Sequence, residues 1–160
     1  DGFVPGEAAG WLWLESRERA AQRGAPVRAA FHGWATAREE QPFTGERQST
    51  GTGLTEALRA VIDAAALAPQ WVVCDLNGES YRGFEWGVAR TRLGAQLDGL
   101  RELTHPADCW GDVGAAGPPL HAALACEAFR RRWAPAGRAH LFAGEDGGER
   151  GAAVLAAESD

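Results

Sequence analysis

The chain has 160 residues and a mass of 17.0 kDa, which is the size of one compact domain able to bury a core without disulfide bonds. Its net charge of -6 at pH 7 argues against a nucleic-acid-binding surface. No apolar run approaches the roughly 18 residues that a membrane-spanning helix needs, so neither nucleic acid nor a membrane is an expected partner.

The cysteine and lysine content limits the kinds of catalytic and binding site that the chain can form. Cys74, Cys109 and Cys126 show neither metal-ligand spacing nor an even disulfide set, which favours a reducing, cytoplasmic location. No metal and no cofactor are predicted. All 16 basic residues are Arg, so a Schiff-base lysine is excluded. The chain also lacks Met, from which we expect it to be a piece of a longer protein.

Apolar runs alternate along the chain with segments of helical periodicity. The continuous run Trp-Leu-Trp-Leu at 11–14 is typical of a strand buried on both faces, which places Trp11 and Trp13 in the core. Pro118 and Pro119 fall where the first turn of a helix tolerates proline. In chain order, the predicted elements are a strand at 11–14, a helix at 15–22, a strand at 27–37, a helix at 54–67, a strand at 71–74, a helix at 81–97, a short strand before Trp110, a helix at 118–133, and strands at 138–143 and 151–157.

This order, β-α-β-α-β-α-β-α-β-β, predicts a single α/β domain in which helices cover a mixed sheet. No linker or low-complexity tract divides the chain. His32 and His140 fall in predicted strands, where we expect satisfied core or sheet-edge positions. His105 precedes a proline in a loop and is expected at the surface.

Several segments, taken in order, resemble motifs of the β-ketoacyl synthases in the thiolase-like superfamily. The opening D-G-F-V-P-G-E-A-A-G at 1–10 leads into the run at 11–14, as in that family. The other matching segments are 19–26, 57–69, 71–80, the G-D-V-G-A-A-G loop at 111–117, and 143–148 with the closing strand at 152–155. The resemblance implies a thiolase-like fold made of two related βαβαβαββ halves. Residues 1–160 would form the C-terminal half, and the N-terminal half, with any nucleophilic cysteine, would precede residue 1.

The resemblance places the altered catalytic positions at Asn77 and Asp112. Asn77 stands where the family carries the histidine of its H-G-T-G-T loop. Asp112, or Trp110 with another placement of the gap, stands where it carries the histidine of its G-H-T-x-G-A-A-G loop. Glu145 and Asp146 replace the aromatic gate of an F-G-F-G-G turn. The expected ligand pocket comprises Glu79, Trp110, Gly111, Gly114, Glu145 and Asp146, and further catalytic candidates beside it are His121 and Cys109. The carboxylates fit either solvated loop acids or an acidic pocket that accepts a cation.

These departures favour a β-ketoacyl synthase homologue that has lost condensing activity and acts as a non-catalytic partner or adaptor. Decarboxylative condensation needs neutral histidines that donate to the thioester carbonyl as negative charge develops on it. Asp112 is instead an acceptor that carries negative charge at neutral pH. One alternative is an acyltransferase, performing acyl-thioester transfer or hydrolysis with a cysteine from the missing half. Another is a stand-alone α/β binding domain.

The same resemblance suggests the partners of the chain. We expect the N-terminal half of the fold, a homodimer or heterodimer, and an acyl carrier protein or a secretion-associated protein.

Overall fold

The computed structural model describes residues 2–158, so Asp1, which opens the first motif, lies outside the described residues. The strands are β1 (Ala30–Arg38), β2 (Trp71–Cys74), β3 (Glu102–Thr104), β4 (Arg138–Gly144) and β5 (Glu149–Ala156). The helices are α1 (Arg17–Gln22), α2 (Thr52–Ala65), α3 (Ser80–Leu93), α4 (Ala107–Trp110) and α5 (Gly117–Arg131), with 3-10 turns at Gly94–Leu97 and Gly114–Ala116. Within residues 2–158, no helix is both long enough and apolar enough to cross a membrane.

The five strands form one mixed sheet in the order β1-β5-β4-β2-β3. Strand β2 runs parallel to β3 and β4, whereas β5 is antiparallel to β1 and β4. From β1 onward, and apart from the four-residue helix α4, the chain follows the order βαβαβαββ, which confirms the predicted α/β architecture. Because β2 and β4 are parallel neighbours, the loops that follow them emerge at the same edge of the sheet.

Helices cover both faces of the sheet and create two apolar clusters. On one face, Val72 and Phe142 pack with α2 and α3, and the ring of Phe142 stacks on Trp86 at 5.2 Å between centroids. On the other face, Trp71 and Val73 pack against three buried alanines of α5. Strand β2 is completely buried, as its unbroken apolar sequence predicts.

The segment at 11–14 differs from its prediction as a buried strand. It has no regular secondary structure, and the side chains of Trp11 and Trp13 are 94% and 81% exposed. The Arg23 guanidinium lies 5.9 Å from the centre of the Trp13 ring. An apolar run signals a need for burial, but the described chain supplies neither a neighbouring strand nor a covering layer for this one. The core assignment of both tryptophans is therefore wrong for these residues.

The helix boundaries follow local backbone chemistry. Helix α3 ends at Leu93, four residues before its predicted end, because Gly94 takes a positive φ of 48° and a 3-10 turn follows. Helix α5 begins at Gly117 with its two prolines in the first turn, as predicted, and Arg130 and Arg131 lie in its last turn. Helix α4 was not predicted.

Two histidines are buried with ring nitrogens that lack a hydrogen-bond partner, and one of them, His140, was expected to be a satisfied polar group. His140 is 1% exposed between Val72 and Val154 of the neighbouring strands, and neither of its ring nitrogens has a hydrogen-bond partner. His121, on α5, is 3% exposed and its Nδ1 also has none. Burial lowers the pKa of each imidazole to about 4. Both histidines are therefore neutral in the fold at neutral pH.

We expect these histidines to make the fold sensitive to acid. The unfolded chain takes up protons near the ordinary histidine pKa of 6.5, whereas the folded imidazoles do so only near pH 4. The free energy of unfolding should therefore fall as the pH drops from 6.5 to about 4. Denaturant titrations at a series of pH values measure this dependence.

The substitution His140→Leu should weaken the acid dependence, because an apolar side chain has no proton to take up. His32→Leu, at an exposed position on β1, is the matched control and should leave it unchanged. An identical pH dependence in wild type and His140→Leu would contradict this explanation.

Candidate functional site

The Asn77 side chain lies between two carboxylates at the end of β2. Its Nδ2 donates to Oδ2 of Asp112 at 2.6 Å and to Oε2 of Glu79 at 2.8 Å. Its Oδ1 accepts a hydrogen bond from the Glu79 backbone N–H at 3.0 Å. The structure thus brings together Asn77 and Asp112, the two positions that the sequence singled out as altered. Glu79, a residue of the predicted pocket, contacts Asn77 from the position just before α3.

Asp112 is held in place by its own backbone as well as by Asn77. Its N–H donates to the carbonyl of Val4 and its carbonyl accepts from the N–H of Gly6, each at 2.7 Å. Its Oδ1 accepts from the backbone N–H of Gly114, also at 2.7 Å. The segment 4–6 therefore fixes the loop that carries Asp112 beside the end of β2.

This arrangement uses all the donors of the Asn77 amide. A side-chain amide has two N–H groups, and Asp112 and Glu79 accept one each. The contacts also fix the orientation of the amide, because its nitrogen faces carboxylate oxygens while its oxygen faces an N–H. No N–H of Asn77 is left to donate to a ligand carbonyl while these bonds are made.

Arg82, which the sequence analysis missed, lies beside this cluster on α3. Its Nε donates to Glu79 at 3.1 Å, and its Nη1 donates to Asp75 at 2.8 Å and to the Gly144 carbonyl at 3.2 Å. Its Nη2 donates to Asp146 at 3.2 Å. The spacing of Glu79 and Arg82, three residues apart at a helix start, is the sequence signal that could have indicated an ion pair.

Asp75 was also missed, and it joins two strands of the sheet. It follows β2 directly, and its Oδ2 accepts from the Gly144 backbone N–H at 2.8 Å as well as from Arg82. Burial raises the pKa of the Asp75 carboxyl, while the neighbouring Arg82 guanidinium opposes that shift. Sequence alone indicated only a polar residue after a buried strand.

The two acids of the β4–β5 turn (145–148) have different roles. Glu145 folds back onto its own turn, where its carboxylate accepts from the N–H groups of Gly147 and Glu149 at 2.8 and 3.0 Å. The backbone N–H groups of Glu149 and Gly147 lower the pKa of that carboxyl. Asp146 instead contacts Arg82. Among the predicted acids, Asp146 and Glu79 therefore share a guanidinium that the sequence did not indicate, whereas Glu145 is bound within its own turn.

The remaining predicted site residues lie around the Asp112 loop. The ring of Trp110 stacks on that of His121 with a centroid separation of 6.5 Å and an interplanar angle of 16°. Gly111 takes a positive φ of 77°, and a β-carbon there would lie 2.8 Å from the Val4 carbonyl oxygen. Cys109 is an exposed free thiol, and Gly114 is exposed after Asp112.

A buried ion pair lies next to Asp75 and Arg82. Nε of Arg150, on β5, donates to Oε2 of Glu85, on α3, at 2.7 Å. The hydroxyl of Ser49 donates to Oε1 of the same carboxylate at 2.8 Å. A cavity of about 10 Å³ separates this pair from Asp75 and Arg82. These contacts tie the loop that precedes α2, helix α3 and strand β5 together.

A groove lies on another part of the surface. Its volume is about 800 Å³, and it runs between the segment 11–17, the start of β1 and helix α5. None of the predicted pocket residues lines it. Among residues 2–158, no group of three His, Cys, Asp or Glu side chains is placed to hold a metal ion.

Comparisons with known proteins supply two kinds of similarity. No model of a known protein family matches the chain. The chloroplastic 3-oxoacyl-[acyl-carrier-protein] synthase I of Arabidopsis thaliana is 38% identical over 72 residues, which are 45% of this chain and 15% of that protein. The 3-oxoacyl-[acyl-carrier-protein] synthase 2 of Staphylococcus aureus is 39% identical over 70 residues, which are 44% of this chain and 17% of that protein. The match thus spans less than a fifth of the length of each of these curated relatives.

Solved structures match nearly the whole chain at low sequence identity. The ishigamide ketosynthase/chain length factor superposes with a TM-score of 0.86 at 17% identity, covering 99% of this chain and 45% of that one. A type II polyketide synthase complex of an acyl-carrier protein with its ketosynthase gives 0.77 at 16% identity, covering 90% of this chain and 42% of that one. Human mitochondrial 3-ketoacyl-CoA thiolase gives 0.63 at 17% identity, with coverages of 90% and 34%.

Proposed function

We propose that this chain, which has a thiolase-like fold and sequence similarity to 3-oxoacyl-acyl-carrier-protein synthases, serves as a non-catalytic partner without decarboxylative condensing activity. One observation carries the proposal: the side-chain amide of Asn77 donates both of its N–H groups to the carboxylates of Asp112 and Glu79. Condensation requires donors that are aimed at the thioester carbonyl while negative charge develops on it. Here the donors at the expected position are already engaged with carboxylates.

The negative charge of the carboxylates around Asn77 also disfavours condensation. Asp112 and Glu79 lie on either side of Asn77, and the nearby Arg82 is shared among Glu79, Asp75 and Asp146. An enolate or a malonyl carboxylate placed against Asp112 would meet like charge in a partly buried site, where repulsion is stronger than in water. We propose that any ligand bound at this site is uncharged or cationic.

His121, the histidine next to Trp110, does not replace the missing donors. Residues 110–112 are Trp, Gly and Asp, so this loop carries no histidine. The nearby His121 is buried against Trp110, and its Nδ1 has no partner. Its lowered pKa keeps it neutral, but its ring is covered rather than presented to the surface. This geometry supports a structural contribution of His121 rather than a catalytic one.

The proposal includes an arrangement of residues 1–160 as the C-terminal half of a two-half fold. The exposed Trp11 and Trp13 and the groove beside α5 are the surface that a second half would cover. More than half of the length of the ishigamide protein lies outside the region that this chain covers, which supports such a second half. One similar structure is a ketosynthase/chain length factor, which supports assembly of this chain into a heterodimer. Another is a ketosynthase in complex with an acyl-carrier protein, which supports an acyl carrier protein as a candidate partner.

We expect no β-keto product from the full-length protein, because Asn77 and Asp112 stand at the two expected histidine positions. Incubation with an acyl carrier protein, an acyl thioester and a malonyl thioester, followed by mass spectrometry of the carrier-bound products, measures condensation. An active β-ketoacyl synthase assayed in parallel is the positive control. Condensation at a rate near that of the control would contradict the proposal. Hydrolysis or transfer of the acyl thioester without condensation would favour the acyltransferase alternative over the adaptor.

We expect residues 1–160 expressed alone to self-associate, because four consecutive exposed apolar side chains, at 11–14 on the rim of the groove, are unusual on a monomer. Analytical ultracentrifugation measures the oligomeric state. The double substitution Trp11→Ser and Trp13→Ser should shift the population toward monomer. Trp34→Ser, at a 69% exposed position outside the groove, is the matched control and should have little effect.

Two results would argue against the proposal that a second half of the fold covers this surface. One is a wild-type protein that sediments as a monomer. The other is equal self-association of the double variant and the Trp34→Ser control.

A further inference from the structure

The Arg82 guanidinium contacts two segments of the chain, the loop 75–79 between β2 and α3 and the region where β4 enters the β4–β5 turn. It donates to Asp75, which follows β2, to Glu79, which precedes α3, and to Gly144 and Asp146 at the β4–β5 turn. All three of its nitrogens are used. The Arg82 side chain is only 15% exposed, so water screens these charge-assisted hydrogen bonds less than it screens a surface ion pair.

Arg82 also reaches Asn77 through a shared acceptor. Oε2 of Glu79 accepts from Nε of Arg82 at 3.1 Å and from Nδ2 of Asn77 at 2.8 Å. The guanidinium therefore fixes the oxygen that holds the Asn77 amide. The same amide is bonded to Asp112. A continuous chain of contacts runs from the β4–β5 turn through Arg82, Glu79 and Asn77 to the Asp112 loop.

Without the guanidinium, the carboxylates of Asp75, Glu79 and Asp146 would lose the ion-pair partner that they share, and Arg150 would be left as the cation that acts on Asp75. Asp75 would keep its bond from the Gly144 N–H, but Asp146 would lose its contact with α3. Like charges repel, so the contact between α3 and the turn would be lost, while the turn would keep its bonds from Arg150 to the Glu145 carbonyl and from Thr44 to the Asp146 carbonyl. The Glu79 carboxylate would no longer be held against Asn77.

We propose that Arg82 is a positioning residue that closes the candidate site by fixing the β4–β5 turn to the β2–α3 turn and, through Glu79, the orientation of the Asn77 amide. This role deepens the proposed function by identifying what keeps the Asn77 donors engaged. The role of Arg82 is tested by measuring local opening of the structure, whereas the proposed function is tested by measuring product formation. Failure of the Arg82 proposal is therefore distinguishable from failure of the proposed function.

Hydrogen–deuterium exchange with mass spectrometry tests the role of Arg82 in the protein. Arg82→Ala should raise exchange about tenfold in peptides that contain residues 143–149, because it removes charge-assisted hydrogen bonds. Exchange in the core strand 71–74 should stay unchanged. Arg82→Lys should give an intermediate rate, because an ammonium keeps the charge but loses the planar array of donors. Arg90→Ala, an exposed arginine of the same helix, is the matched control and should match wild type.

Chemical rescue separates positioning from a general loss of stability. Millimolar guanidinium should slow exchange of the turn in Arg82→Ala back toward the wild-type rate and should have no effect on wild type or Arg90→Ala. Wild-type exchange of the turn in Arg82→Ala would overturn the proposal, and so would faster exchange that guanidinium does not restore. If Arg82→Ala fails to fold, Arg82→Lys decides: faster exchange confined to the turn supports the proposal, and an unchanged turn refutes it.

Discussion

The hydrogen bond between the Asn77 amide and the Asp112 carboxylate is the interaction on which the chemistry of the site depends. It joins the loop after β2 to the loop before α5, and the segment 4–6 holds Asp112 in place from the other side. We propose that the donor of this bond is the group that would otherwise face a ligand carbonyl, so that the bond which orders the site also blocks it. Structural order and loss of condensing chemistry therefore have the same physical cause in our proposal.

The topology of the sheet explains why these loops meet. Parallel pairing of β2 and β4 brings Asp75 and Gly144 to one edge, where Arg82 from the following helix can contact both. The fold is thiolase-like, and the predicted resemblance to the β-ketoacyl synthases is confirmed by sequence similarity and by solved structures. Such a fold permits different chemistries at the same sheet edge, because the side chains on the loops decide them.

The sequence predicts well those features that local pattern determines. Residues 71–74 are a buried strand with the predicted bounds, and helix α5 carries its two prolines in the first turn, where proline is tolerated. Trp11 and Trp13 were wrongly placed in the core, because an apolar run shows that burial is favourable without showing which surface provides it. Arg82 escaped notice because its partners Asp75 and Asp146 are brought together only by sheet pairing.

Isothermal titration of the protein with a malonyl thioester tests most directly whether the Asn77–Asp112 bond blocks the site. The engaged donors and the Asp112 charge predict no detectable binding to the wild-type protein. The double substitution Asn77→His and Asp112→His removes both obstacles and should restore measurable binding. Tight malonyl thioester binding to the unmodified protein would contradict the proposed cause of inactivity.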